Sequence, residues 1–301
     1  MRWRGHRESQ NVDDLRGSSA SRLGDSGGGG RGLLRLLPVV YRFLGFKGTA
    51  IAVVGLIGYG LVSGNLSQIL GLSSISDSKQ QISTEKVQQS VKEKELVDFI
   101  SVILADTEDT WSQIFKQNAK QYKLPRLVLY RNSVNSGCGF SSAQMGPFYC
   151  PADSKVYLDL SFYDQLQNKY KSPGDFAQAY VLVHEIGHHV QNLLGTSTKV
   201  HQAKQKVDKV KANQLSVKLE LQADCYAGIW AHQANRSRQI LESGDVEEGL
   251  KAASAIGDDQ LQKQAHGYVN PDSFTHGSSK QRVKWFNIGL EQGSLAACNT
   301  F

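Results

Sequence analysis

The hydrophobic positions of this chain recur mostly at helical spacing, and only two runs have the pattern of strands. Val97, Ile100 and Ile103 lie on one face of an amphipathic helix. "RLVLYR" is a short apolar run and "SKVYLDLSF" alternates, so both predict strands. Helices are predicted over 85–119, 172–195, 218–235, 245–262 and 277–293, and strands over 126–131 and 154–162. Many helices and few strands indicate an α+β domain over 85–301.

A long uncharged run precedes this domain. Its apolar, glycine-rich part over 48–66 has roughly the 20 residues that cross a bilayer. Residues 1–47 are predicted to form a basic, disordered arm with a juxtamembrane segment, and residues 67–84 a polar linker. A cleaved signal peptide is the alternative, but the basic region is too long for one. The positive-inside rule therefore predicts one transmembrane helix, with the N-terminus cytoplasmic and the domain outside.

The net charge of +6 is concentrated at the N-terminus. Residues 1–47 hold nine Lys or Arg and four acidic residues, which account for +5 of the total. The rest of the chain is nearly neutral, whereas a domain that binds nucleic acid carries a basic surface. The charge distribution therefore argues against a nucleic-acid partner and is consistent with a membrane anchor.

The four cysteines fit an oxidising compartment. Cys138 and Cys150 bracket a loop that contains Gly, Ser and Pro, and a disulfide there would contribute about 3 kcal/mol in the loop-closure model. Cys225 and Cys298 are a second candidate pair, although Cys225 can also be a small buried hydrophobe. No CxxC spacing occurs, so a zinc site made of four cysteines is not expected.

An HExxH motif, His184–Glu185–His188, lies within an apolar helical run. Residues at i and i+4 share one face of a helix, so the two imidazoles can bind one zinc ion. Glu185 lies beside them, where its carboxylate can act as general base on a zinc-activated water. Unpaired polar groups are costly in an apolar helix, and a metal would pair them. The motif predicts one catalytic zinc per chain.

A catalytic zinc needs a third protein ligand, and the residues alone leave several candidates. The metzincin pattern fails, because Gln191 and Leu194 stand where that pattern requires Gly and His. Glu220 and Asp224 share one face of the next apolar helix, which offers one carboxylate for the metal and one to orient a ligand histidine. The other downstream candidates are His201, His232, His266 and His276.

Several segments together resemble a known family. "VLVHEIGHHVQNLLG" followed by "LELQADCYAGIWAH" is similar to the glutamate zincins, whose second helix carries ExxxD. "GPFYCPADSKVYLDLSF" and "DSFTHGSSKQRVKWF" increase the likeness to a bacterial family of neutral zinc metallopeptidases, over about residues 35–301. The resemblance implies a zincin-like fold, mainly helical with a small sheet. It also implies that His184, His188 and Glu220 bind zinc and that Glu185 is catalytic.

A second catalytic residue follows from the same resemblance. Other glutamate zincins use a late histidine, tyrosine or arginine to stabilise the oxyanion, and His276 lies in a Ser- and Gly-flanked loop before the last predicted helix. Arg282 and Tyr226 are the alternatives for this role.

The predicted function is that of a membrane-anchored zinc metalloendopeptidase, acting on peptides or proteins outside the cytoplasmic membrane of a bacterium. The strand over 154–160 is a candidate edge strand that would pair with an extended substrate. Two alternatives remain, a zinc amidase that acts on cell-wall amides and a catalytically silent, zinc-stabilised envelope scaffold. Glu185 argues against the scaffold, because a scaffold has no use for the base.

Overall fold

The structure of the protein is a computed structural model that describes residues 1–17 and 90–301. Within these residues the α+β prediction is confirmed, because the domain is mainly helical with a small sheet. The strands are β1 (Val12–Asp14), β2 (Arg126–Tyr130), β3 (Ser133–Ser136), β4 (Gly139–Ser142), β5 (Phe148–Cys150) and β6 (Lys155–Asp159). The helices are α1 (Val91–Gln117), α2 (Ser161–Asn168), α3 (Asp175–Leu193), α4 (Thr196–Lys204), α5 (Lys209–Arg238), α6 (Asp245–Ala255), α7 (Asp258–His266) and α8 (Ser279–Gln292).

Helix α3, which carries the HExxH motif, lies at the centre of the core and packs against α1, α5 and α6. Its residues Phe176, Tyr180 and Val183 are almost fully buried. Gly187 allows α5 to approach closely, because a Cβ atom at this position would lie 3.0 Å from the carbonyl oxygen of Ala223. The close contact places the polar face of α3 directly against α5.

Three helical segments differ from the prediction. Helix α2 was not predicted, and its first residues, Ser161 and Phe162, were assigned to the strand over 154–162. The predicted helix over 245–262 is interrupted between α6 and α7, where Gly257 has an extended backbone. The polar, Lys-rich residues 196–217, for which no helix was predicted, form α4 and the first part of α5. Lys, Gln and Ala are good helix formers, and Asp208 caps α5 by accepting a hydrogen bond from the Lys211 amide at 2.9 Å.

The main sheet has the strand order β1-β2-β6-β5. The strands β1, β2 and β6 are parallel, and β5 runs antiparallel to β6. The prediction that residues 154–160 form an edge strand is wrong, because β6 is paired on both sides. Among the described residues, the edge strand at this end of the sheet is β5.

Residues 1–17 are folded onto the domain. Strand β1 pairs with β2, with Val12 opposite Leu127. Helix α1 contributes Glu108, which accepts hydrogen bonds from Ser9 Oγ at 2.6 Å and Asn11 Nδ2 at 2.8 Å. The predicted disorder is therefore wrong for residues 1–17. Periodicity cannot reveal a strand of three residues whose order comes from its pairing with β2.

Hydrogen-bonded strands of one sheet share one compartment. The β1–β2 pairing therefore places residues 1–17 and 90–301 on the same side of any membrane, which contradicts the predicted single-pass topology with a cytoplasmic N-terminus. The predicted transmembrane helix over 48–66, the linker over 67–84 and the rest of the arm lie outside the described residues. Within residues 1–17 and 90–301, no helix has the length and apolarity that a membrane span requires.

Both predicted disulfide bonds are present. Cys138 is bonded to Cys150, with their Cα atoms 5.8 Å apart, and Cys225 is bonded to Cys298, with their Cα atoms 5.7 Å apart. The first bond connects the β3–β4 turn to the end of β5. The second connects α5 to the C-terminal residues. All four cysteines of the chain are thus oxidised.

Candidate active site

Helices α3 and α5 bring three potential metal ligands together. His184 Nε2 lies 3.1 Å from Glu220 Oε2, and His188 Nε2 lies 3.5 Å from Glu220 Oε1. One potential ligand atom from each of the three residues lies within 4.8 Å of the others. Two imidazoles and one carboxylate are the protein ligands of many catalytic zinc sites.

The opposite ring nitrogens of both histidines are already hydrogen-bonded. His184 Nδ1 lies 2.9 Å from Asp224 Oδ1, and His188 Nδ1 lies 2.9 Å from Gln191 Oε1. Both partners are acceptors, so each Nδ1 carries a hydrogen and each Nε2 is the ring atom that faces Glu220. Loss of the Nε2 protons would leave both imidazoles in the tautomer that a zinc site requires.

The electrostatics of this group favour a cation. Burial opposes protonation of His184, but Asp224 and Glu220 outweigh it and raise the pKa of the imidazole to about 10. Burial also opposes ionisation of Glu220, but His188 and His184 lower the pKa of its carboxyl well below the ordinary value. A divalent ion would take the place of the protons that these pKa values favour.

Asp224 is held by residues from two other helices. Arg282 of α8 donates two hydrogen bonds of 2.9 Å to its carboxylate, and the Tyr180 hydroxyl of α3 donates a third. Burial opposes ionisation of Asp224, but Arg282 outweighs it and lowers the pKa to about 2. Asp224 is fully buried, so this network fixes both the charge and the position of the group that orients His184.

Gln191 is a residue of this site that the sequence analysis did not identify. It is fully buried and also donates a hydrogen bond of 2.6 Å to the Leu219 carbonyl on α5. Its side chain therefore connects His188 to the helix that carries Glu220. The available signal was its position three residues after His188, on the same face of the helix.

Glu185 lines the same cavity as the three potential ligands and is 9% exposed. Burial raises the pKa of its carboxyl, and the charges of His188 and His184 oppose that rise. The backbone of Tyr149 on β5 also opposes the rise in this pKa. Glu185 is thus a buried acid in the cavity that holds the three potential ligands.

His276 also lines this cavity, which has a volume of about 1000 Å³. Its ring Nδ1 lies 3.2 Å from Asp258 Oδ1, so Nδ1 donates and Nε2 stays available. Asp258 raises the pKa of this imidazole, while burial opposes the rise. The other Asp258 oxygen accepts backbone hydrogen bonds from Thr275, His276 and Gly277 at 2.6 to 2.9 Å.

Asp258 therefore shapes the whole loop that presents His276, a role the sequence analysis did not predict. Its position at the first residue of α7, just after Gly257, was the available signal. Arg282 and Tyr226, the alternatives to His276 as the oxyanion donor, are less suitable for this role. The Arg282 guanidinium is paired with Asp224, and Tyr226 packs against Trp111 with ring centroids 5.5 Å apart.

The remaining histidines do not join the three potential ligands. His201 lines the cavity but is exposed and contacts Gln205. His232 Nδ1 donates to the Leu290 carbonyl at 2.8 Å. His266 is exposed and lies near Tyr268. Among the candidates for the third zinc ligand, Glu220 alone lies next to both histidines of the motif within the described residues.

A helix with HExxH, opposed by a glutamate from a later helix, is typical of the zinc metallopeptidases. The chain belongs to the family described as "Putative neutral zinc metallopeptidase", whose model matches residues 1–301.

Two bacterial proteins are similar to this chain in sequence. The chain is 48% identical to "Uncharacterized protein YpfJ" of Escherichia coli strain K12 over 301 residues, which cover 100% of this chain and 99% of the relative. It is 39% identical over 213 residues to "Uncharacterized protein Rv2575" of Mycobacterium tuberculosis, which cover 67% of this chain and 71% of the relative. No solved structure matches the chain.

Proposed function

We propose that this protein is a zinc peptidase in which Glu185 is the general base. The observation that carries the proposal is a single cavity that contains Glu185 together with His184, His188 and Glu220. The Nδ1 partners of both histidines direct their Nε2 atoms toward Glu220. A buried carboxylate beside such a group makes the site more costly to fold, which favours a functional use for Glu185.

The proposed residues divide the chemistry among them. His184, His188 and Glu220 would hold zinc, which when bound supplies a Lewis acid and an acidified water. Glu185 takes a proton from the attacking water and returns it to the leaving amine. Its raised pKa, caused by burial, brings the base closer to neutral pH, where both proton transfers are efficient. His276 donates a hydrogen bond from Nε2 to the developing oxyanion in its doubly protonated form, which Asp258 favours by raising the pKa of the imidazole.

Strand β5 supports a peptide as the substrate. It is an edge strand among the described residues, and its residues Phe148 and Tyr149 line the cavity. An extended peptide can add to such an edge through main-chain hydrogen bonds. Apolar side chains on the same wall offer contacts for the side chains of the substrate: Met145, Pro147, Phe162, Tyr170 and Val181.

Zinc removal tests the function. We expect the full chain to carry one zinc ion, to cleave members of a quenched-fluorescence peptide library, to lose this activity with a chelator and to regain it with stoichiometric zinc. Metal content and cleavage are measured on the same samples. Cleavage of a cell-wall muropeptide but of no library peptide would replace the peptidase by an amidase, and a zinc-loaded chain that cleaves neither would be a scaffold.

His276→Ala is expected to retain zinc and to lower kcat roughly 10²- to 10³-fold, the usual cost of losing one oxyanion donor. KM should change less, because the oxyanion exists only in the transition state. His201→Ala is the matched control and should behave as wild type, since His201 also lines the cavity but is hydrogen-bonded to Gln205. Loss of zinc from His276→Ala would make His276 a ligand, and unchanged turnover would remove it from the mechanism.

We propose that the domain works outside the cytoplasmic membrane. Two disulfide bonds support this location, because such bonds persist in oxidising compartments. Residues 48–66 would attach the protein to the membrane without crossing it once, because a single crossing would separate residues 1–17 from the domain to which they are paired.

Cysteine labelling tests this topology. Gln10 and Lys251 are exposed, and Gln10→Cys and Lys251→Cys should both react with a membrane-impermeant maleimide on intact spheroplasts. The wild-type chain, whose cysteines are all paired, is the unlabelled control. Labelling of neither variant before lysis would contradict export. Labelling of Lys251→Cys alone would restore the single-pass topology and contradict the β1–β2 pairing.

A further inference from the structure

His189 follows a potential zinc ligand in sequence but faces away from the metal group. The sequence alone predicts no role for His189. It is 1% exposed, and both of its ring nitrogens have partners. Nε2 lies 2.7 Å from the Lys123 carbonyl oxygen, which can only accept, so Nε2 carries the hydrogen. Nδ1 is therefore the acceptor for the Tyr149 hydroxyl at 3.1 Å.

Tyr149 is held to helix α3 at two points. Its hydroxyl donates to His189 Nδ1 and accepts from Asn192 Nδ2 at 3.0 Å. The rings of Tyr149 and His189 also meet edge to face, with centroids 5.4 Å apart. His189 and Asn192 lie one helical turn apart, so the tyrosine side chain is fixed against the helix that carries the HExxH motif.

Strand β5 connects this contact to the proposed chemistry. Tyr149 is the middle residue of β5, which packs on α3, and Tyr149 lines the same cavity as Glu185. A shift of β5 along α3 would break both hydrogen bonds of the Tyr149 hydroxyl and would move the wall of the cavity that contains Glu185.

We propose that His189 is a positioning residue that fixes the register of β5 on α3 through the Tyr149 hydroxyl, and thereby positions the cavity wall beside Glu185. The effect on turnover rests on the proposed peptidase function, whereas the effect on β5 does not. His189 touches neither the substrate nor the metal group, and it acts through Tyr149.

Tyr149→Phe removes the hydroxyl and leaves the ring and the backbone amide in place. The matched control is Tyr122→Phe. Tyr122 packs on the same imidazole, with ring centroids 5.6 Å apart, and its buried hydroxyl has no hydrogen-bond partner among the described residues. His189→Gln is the second variant, because its amide can still donate to Lys123 while Tyr149 loses its acceptor.

Two measurements on the full, zinc-loaded chain decide the proposal. Amide hydrogen exchange over 146–151 should accelerate roughly tenfold in Tyr149→Phe and His189→Gln, and not in Tyr122→Phe. In the same two variants kcat should fall roughly tenfold, with KM within about threefold of wild type and zinc content unchanged. The double variant should be no worse than either single variant, because both lose one interaction.

Unchanged exchange of β5 in Tyr149→Phe would overturn the proposal. Faster exchange with wild-type kcat would also overturn it, because β5 would then move without disturbing the cavity around Glu185. If the wild-type chain cleaves no substrate, the peptidase function fails on its own, and the exchange comparison still decides whether His189 fixes β5.

Discussion

Glu185→Gln is expected to retain full zinc occupancy and to lose peptide hydrolysis by at least roughly 10²- to 10⁴-fold, the usual contribution of a general base. Glutamine has nearly the shape of glutamate, but its amide cannot take a proton at neutral pH. Zinc content and kcat are measured on the same preparation. The defect should lie in kcat, because the proton moves in the transition state.

Glu291→Gln provides the matched control, since Glu291 is exposed on α8 and does not line the cavity. It should behave as wild type. If Glu185→Gln loses zinc, Glu185 is a ligand and the assignment of the base is wrong. If it retains turnover, another group takes the proton, and the proposed mechanism fails even if the protein is a peptidase.

Glu220→Ala is expected to lose zinc, and with it all hydrolysis, because two histidines alone leave a catalytic zinc without its third protein ligand. In the structure Glu220 lies within 3.5 Å of both imidazoles, so no other described side chain occupies its place. Zinc affinity is measured by competition with a chromogenic chelator. Full occupancy and activity in this variant would require a different third ligand.

Asp224→Asn gives the graded comparison. The amide cannot supply the negative charge that stabilises His184 and pairs with Arg282, yet all three potential ligands remain. Zinc affinity should therefore fall by roughly 10- to 100-fold, as is usual for groups behind a ligand, rather than be lost. A wild-type affinity would show that Asp224 does not act on the metal.

The sequence predicted the part of the site that local periodicity determines. His184, Glu185 and His188 lie on one helix, and their spacing alone places them together. Glu220 lies on another helix, so its position in the site depends on how α3 and α5 pack beside Gly187. Periodicity gives each helix but not the contact between them, which is why the residues alone left several candidates for the third ligand.

The contacts that orient the site were harder to predict. Gln191, Tyr149 and Asp258 act through hydrogen bonds to residues that are close in space. No sequence motif predicts a hydrogen bond between β5 and α3. The edge strand was misassigned for a related reason. Strand β5 has three residues, too few for an alternating pattern. Strand β6 alternates clearly, so the pattern predicted β6 as a strand and left β5 unrecognised.

Strand β1 also affects how this protein can be handled. It covers the edge of β2 that does not pair with β6, and its Val12 lies opposite the fully buried Leu127. A chain shortened to residues 85–301, the boundaries that the sequence suggests, would leave this edge of β2 with unpaired backbone groups. Such an edge invites pairing between molecules, so the shortened protein should self-associate or precipitate where the full chain stays dispersed.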